Sequence, residues 1–267
     1  MEFLTILTEY GFFTIISLAF FSFLAGFIDS VVGGGGLIQL PALLINFPKA
    51  PLPTLFGTNK IAALAGTSIS AIQYSRRIKF NYKLLIAIAV SAGLASFIGA
   101  KLVSHINVHI LKPLILFILI AIALYTFLKK DLGSVKTKNL TFKKQLFLGI
   151  LIGFVVGFYD GFFGPGTGSF LVLGFVVVLG FQFLEASAYS KVINSMTNIS
   201  ALMVFVSQGN YLLELAIMMA LSNISGNLIG TSMALKKGDQ FIRKIFLLVV
   251  VLMIGRYGYD IFMQYNS

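Results

Sequence analysis

The chain has no cysteine and no tryptophan, two histidines, six prolines and nine acidic residues in 267. Each scarcity excludes something. Without cysteine there is no disulfide framework and no thiolate metal site. His105 and His109 stand four apart with no carboxylate near them in sequence, so they read as surface or headgroup residues rather than ligands or catalysts. Charged residues make up 11% of the chain, where a soluble domain carries roughly 25%. With 58% hydrophobic residues and a mean hydropathy of +0.95, the chain cannot cover itself with polar surface. It reads as an integral membrane protein. Glu2 and Glu9 stand where a secretory leader would be basic, so no cleaved signal peptide is expected.

What is abundant is apolar length, phenylalanine, glycine and positive charge. The apolar residues form ten continuous stretches, at about 11–30, 32–47, 55–74, 83–103, 109–128, 145–163, 168–184, 191–207, 212–235 and 241–261. Their continuity favours helices over the alternating strands of a barrel. The second, seventh and eighth fall short of the ~20 residues that cross a bilayer as helix. The net charge of +11 would suggest nucleic acid in a soluble protein, but here no nucleic-acid partner is needed. Loops 75–83, 129–144 and 236–244 hold most of the lysine and arginine, and segment counting puts all three on one side. The positive-inside rule makes that side cytoplasmic and both termini external, in the plasma membrane of a prokaryote.

Two short stretches resemble each other. Residues 26–36 read GFIDSVVGGGG and residues 157–168 read GFYDGFFGPGTG. A constant offset of 131 residues places Gly26 on Gly157, Asp29 on Asp160, Gly33 on Gly164, Lys60 on Lys191, Gly99 on Gly230 and Lys112 on Arg243. Matches of acid, glycine and lysine carry weight because these types are costly or special in a membrane. The expected fold is therefore an all-α polytopic membrane protein of two repeats, 1–128 and 145–267, joined by a basic cytoplasmic linker at 129–144. Each repeat has about five helical segments. Five is odd, so the second repeat enters from the opposite face, the inverted plan of many secondary transporters.

The glycine runs do not fit a nucleotide loop. Residues 33–40 read GGGGLIQL and lack the lysine and hydroxyl of a phosphate-binding loop. In a membrane, Gly33, Gly34, Gly35 and Gly36, and Gly164, Gly166 and Gly168 around Pro165, mark breaks in helical hydrogen bonding. Such breaks are tolerated where they line a cavity, and they leave helix N-termini suited to an anion. The competing reading is that these glycines only let helices approach closely.

Asp29 and Asp160 precede the breaks, either to cap the amides that follow or to carry a coupling proton. Lys60 and Lys191 open the third segment of each half. They are counter-charges for an anion, partners of the aspartate in their own half, or residues reaching an interface. Asn59, Thr67, Asn194 and Asn198 form polar stripes on those segments, as pathway wall or as helix–helix hydrogen bonds. Asn223 and Asn227 make another such pair, opposed in the first half only by Ala92 and Ser96.

The stretches AGFIDSVVGGGGLIQLPALL (25–44), FGTNKIAALAGTSISAIQY (56–74) and GFYDGFFGPGTGSFLVLGF (157–175) together resemble the sulfite exporter TauE/SafE family, also called the 4-toluene sulfonate uptake permeases. That resemblance spans nearly the whole chain. It implies transport of a small sulfur-containing or organic anion such as sulfite or a sulfonate, coupled to an ion gradient. The implied partners are the solute, the bilayer and a coupling proton, with a homo-oligomer left open; no cofactor and no enzymatic activity are expected. The second half has Ser190 where the first has Asn59, and it lacks the four-glycine run, so the two half-sites are expected to differ. A passive anion facilitator and an assembly protein without transport activity are the alternatives.

Overall fold

The structure, a computed structural model, describes residues 11–47, 49–103 and 138–266. The expected segment 109–128, both histidines, Lys112 and most of the linker lie outside the described residues. Eight helices are described: α1 Phe12–Val32, α2 Gly36–Asn46, α3 Leu52–Ser75, α4 Tyr82–Leu102, α5 Phe142–Phe162, α6 Thr167–Gly174, α7 Phe183–Ser207 and α8 Leu213–Asn266. A wider helical turn, Phe175–Leu179, prolongs α6. Within α8 the backbone leaves helical geometry at Gly238, with φ 68°.

Four of these are long and apolar enough to cross a membrane: α1, α4, α5 and the Leu213–Leu248 part of α8. The 21 residues of α1 span roughly 30 Å at about 1.5 Å each, the thickness of a hydrocarbon core. The protein is thus an all-α polytopic membrane protein, and Phe13, Leu94, Phe147, Met203 and Leu221 point outward from it. An exposed apolar belt of that kind is a lipid-facing surface. The second and seventh expected segments are indeed short helices, Gly36–Asn46 and Thr167–Leu179. The eighth is not short. Its helix begins at Phe183 rather than at 191 and runs 25 residues. Polar residues dilute its first two turns, so the apolar pattern alone started it too late.

The helices recur at the repeat spacing. Gly36 and Thr167, Leu52 and Phe183, and Tyr82 and Leu213 open corresponding helices, each pair separated by the 131 residues that also separate Thr67 from Asn198. The two halves are interleaved. The most extensive packing is α1 on α8 and α4 on α5, so the first helix of each half lies on the fourth of the other. Glycines make that packing close: a side chain at Gly26 would strike the Asn223 backbone, and one at Gly157 would strike Ala92. For these glycines the close-approach reading holds.

Two apolar clusters mark the two ends. One gathers Ile78, Phe80, Leu140, Phe181, Phe183, Leu235 and Phe241, and so draws the basic segments 75–83, 138–144 and 236–244 together. The other gathers Phe47, Ala50, Val103 and Leu212.

At the basic end, Asp239 Oδ1 accepts from the Leu184 amide at 2.8 Å. This carboxylate comes from α8 to serve the first turn of α7, whose own Gln182 supplies no side-chain cap. Asp239→Ala is expected to cost about 1 kcal/mol, the usual worth of an N-terminal cap. Melting of the detergent-solubilised protein should fall by roughly 2–4 °C, and Asp239→Asn should recover most of it.

Candidate functional site

The glycine runs break their helices where the sequence placed the breaks. α1 stops at Val32, and Gly33 and Gly34 follow with φ of 77° and 97° before α2 opens at Gly36. α5 stops at Phe162, and Gly164 and Gly166, at φ 91° and 87°, precede α6. A residue with a Cβ strongly disfavours this left-handed region. The two breaks touch. A Cβ on Gly33 would overlap the Gly168 backbone, and one on Gly168 would overlap Gly33.

A helix that ends inside a membrane leaves carbonyls without partners, and hydrocarbon offers none. Here hydroxyls supply them. Tyr74 Oη donates to the Ser30 carbonyl at 2.9 Å, Ser187 Oγ to Val31 at 3.0 Å and Ser169 Oγ to Gly33 at 3.1 Å. At the second break Thr167 Oγ1 donates to Gly164 at 2.6 Å, Tyr159 Oη to Pro165 at 2.6 Å and Ser190 Oγ to Gly168 at 3.1 Å. Ser190 therefore secures backbone, while its counterpart Asn59 faces a cavity with an Oδ1 that no described group satisfies.

That cavity lies between the breaks. It encloses about 410 Å³ including its open mouth and is bordered by Asp29, Gly34, Gly35, Gly36, Asn59, Lys60, Asp160, Gly164, Gly166, Gly168, Asn194 and Asn198. Three residues named from the sequence do not border it. Gly33 is sealed against Gly168 and Ser169. Thr67 is buried, and Asn198 Nδ2 approaches its Oγ1 at 3.5 Å. Lys191 lies wholly inside the protein, 0% exposed, which excludes a reach to the membrane interface.

The charges pair across the halves rather than within them. Lys60 Nζ lies 2.6 Å from Asp160 Oδ2, and Lys191 Nζ lies 3.0 Å from Asp29 Oδ2. The repeat offset exchanges one pair for the other. Own-half pairing fails because the touching breaks bring each aspartate beside the third helix of the opposite half. Nor does either carboxylate cap a broken helix. α2 and α6 have Gly35 and Gly166 at their N-cap positions and no side-chain cap, since the lysines have claimed the carboxylates. Backbone closes part of these first turns instead: the Leu37 and Ile38 amides donate to the Gly34 and Gly35 carbonyls at 3.0 Å, and the Thr167 amide donates to Gly164 at 3.2 Å.

The pairs differ in support. Lys60 Nζ also donates to Asn198 Oδ1 at 2.9 Å. The residue equivalent to Asn198 is Thr67, whose hydroxyl donates instead to Ala63 of its own helix at 2.8 Å. Lys191 Nζ and Asp29 Oδ2 accordingly meet only as an ion pair and have no hydrogen-bond partner among the described residues. Gln39, Thr167 and Asn223 also border the cavity. Gln39 was the harder to find, because it stands in an apolar stretch with no counterpart across the repeat. Asn223 carries a sequence signal only as half of a helix-face pair with Asn227. Among the described residues no group of three histidine or acidic side chains converges to hold a metal.

A polytopic helical protein with paired charges at the meeting of two broken helices belongs among membrane transporters. Comparison with known proteins agrees. The family described as sulfite exporter TauE/SafE matches residues 18–257. The chain is 38% identical over 233 residues to a probable membrane transporter protein, ORF9, of Sinorhizobium sp., covering 86% of this chain and 87% of that one. It is 34% identical over 238 residues to a probable membrane transporter protein of Haemophilus influenzae, covering 89% and 92%. It is 36% identical over 247 residues to the probable membrane transporter protein YfcA of Escherichia coli K12, covering 91% and 89%. No solved structure matches the chain. The chain belongs to the sulfite exporter TauE/SafE family, a transporter family and not an enzyme family.

Proposed function

We propose that the protein is a secondary transporter that carries a small anion, sulfur-containing or organic, by alternating access between two inverted repeats, with protons as the coupling ion. Sulfite and sulfonates are the substrates the family name suggests. The observation that carries the reading is the crossed pair of Lys–Asp contacts, Lys60–Asp160 and Lys191–Asp29, beside two broken helices that touch. The repeats are 1–128 and 145–267 about the linker 129–144. Recurrence of the helix starts and the interleaved packing of α1 on α8 and α4 on α5 support that division. Convergence of the basic segments on one cluster supports placing 75–83, 129–144 and 236–244 in the cytoplasm and both termini outside, in a prokaryotic plasma membrane.

The charges suggest how coupling works. With both pairs closed, two ammonium groups cancel two carboxylates. An anion that reached Lys60 would leave Asp160 buried and uncompensated, a cost of several kcal/mol. A proton on Asp160 removes that cost and frees Lys60. Anion and proton then favour each other's binding, because linkage is reciprocal. Lys60, the amides of Gly35 and Gly36 and the carboxamides of Asn194 and Asn198 hold the anion. When the halves exchange conformations, it is released on the other face.

Purified protein in liposomes carrying an internal pH dye provides the test. Sulfite, or a sulfonate that cannot cross as the free acid, should move protons in its own direction, and an imposed pH gradient should concentrate it. Flux without concentration would establish a passive facilitator. Absence of any flux across a panel of small anions would leave the assembly role.

A further inference from the structure

A buried polar network adjoins the cavity at Gln39 and Asn223. It runs through Thr231, Ser70, Asn227, Asn223, Gln39 and Ser22, all nearly inaccessible to solvent. Thr231 Oγ1 donates to Ser70 Oγ at 2.8 Å, and Ser70 Oγ donates to Asn227 Oδ1 at 2.6 Å. Asn227 Nδ2 donates to Asn223 Oδ1 at 2.7 Å, and Asn223 Nδ2 donates to Gln39 Oε1 at 3.1 Å. Gln39 Nε2 donates to Ser22 Oγ at 3.2 Å. Every bond points the same way.

The direction is anchored. Asn227 Nδ2 also donates to the Asn223 main-chain carbonyl at 3.0 Å, and Asn223 Nδ2 also donates to the Ser22 carbonyl at 3.3 Å. A carbonyl only accepts, so neither asparagine can turn over. Asn223 must then present nitrogen to Gln39, and Gln39 must answer with oxygen. The Gln39 amide nitrogen is thereby held on the far side. It has two hydrogens, and Ser22 takes one. Gln39 borders the cavity, so the second is left for whatever the cavity holds.

The other half has nothing comparable. The residues 131 positions from Ser22, Gln39, Ser70, Asn223 and Thr231 are Gly153, Phe170, Ala201, Ala92 and Ala100, and the counterpart of Asn227, Ser96, donates to the Thr197 carbonyl instead. The network passes along the cavity at Asn223 and Gln39 before it closes on Ser22. An amide chain is also a poor proton conductor, since no link can pass its hydrogen on and recover.

We infer that Gln39 is a specificity-determining residue: its second Nε2–H donates to an oxygen of the bound solute other than those of the anionic group, and the chain from Thr231 to Asn223 fixes that donor in place. This rests on the anion-transport reading. A site built around a fixed donor strongly disfavours a ligand that offers it a methyl group.

The test uses two probes of equal charge and similar size, 2-hydroxyethanesulfonate and 1-propanesulfonate, which differ by a hydroxyl in place of a methyl. Binding to the full-length protein in detergent is measured by calorimetry. The unaltered protein should prefer the hydroxylated probe by about tenfold or more. Gln39→Met and Gln39→Glu, both lacking the donor, should bring that preference close to one while 1-propanesulfonate binding by Gln39→Met is kept. Ser22→Ala, which leaves the donor in place, should retain the preference. Loss of both affinities to the same degree in Gln39→Met would show a structural role and overturn the inference. So would an unaltered protein that binds the two probes equally. If it binds neither, this inference fails, and sulfite-driven flux in liposomes decides the anion reading separately.

Discussion

Lys60→Met is expected to abolish transport, lowering flux in liposomes at least about a hundredfold, and to destabilise the protein as well. The two losses have different origins and can be separated. Removing Lys60 leaves Asp160, 2% exposed, as an unpaired carboxylate, and breaking a buried pair from one side costs about 3–5 kcal/mol. Replacing both partners, as Lys60→Met with Asp160→Asn, leaves no orphan charge. The double variant should fold and melt close to the unaltered protein yet stay inactive, because the proposed anion-binding cation and proton-carrying acid are both gone. Recovered flux in that variant would show that the pair serves stability alone. Asp160→Asn by itself should uncouple transport from protons, since Lys60 is then free at every pH. Its anion uptake should no longer respond to a pH gradient.

The second large effect is expected from Gly33→Ala or Gly168→Ala. A single methyl at either position meets main chain rather than the tip of a movable side chain, and Gly33 must also keep φ at 77°. Overpacking costs about 1–3 kcal/mol, and the left-handed conformation adds about 1–2 kcal/mol at Gly33. Each variant should express poorly or melt well below the unaltered protein, with Gly33→Ala the worse. Gly209→Ala is the control. It also has positive φ, at 69°, but nothing stands near its would-be methyl, so it should show only the conformational part. Equal melting of the three variants would argue that the breaks do not pack on each other.

Much of this arrangement was legible in the sequence because membranes punish the same residues wherever they occur. An aspartate, a glycine run and a lysine repeated at one spacing announced two breaks and four charges, and all of them lie where the chain folds back. What could not be read was partnership. Sequence offers Lys60 the aspartate of its own half as readily as the other. Only contact between Gly33 and Gly168 crosses the pairs, and that contact depends on how α2 and α6 return past each other. The hydroxyls that satisfy the broken ends were equally hidden. Tyr74, Ser169 and Ser187 look like ordinary members of apolar helices, because a capping hydroxyl at long range has no local pattern. The late start assigned to α7 has a simpler cause: its first turns carry Glu185, Ser187 and Ser190, and an apolar criterion discards them.

The unequal support of the two lysines has a further consequence. Lys60 holds a carboxylate and the Asn198 carbonyl, whereas Lys191 holds a carboxylate alone. A hydrogen bond to a charged group is worth about 1.5–3 kcal/mol. Trading the two environments would therefore not return the molecule to the same energy. A machine of two identical halves would dwell equally on either side of the bilayer. If the halves exchange conformations as proposed, the difference between Asn198 and Thr67 gives this protein a favoured side on which to wait.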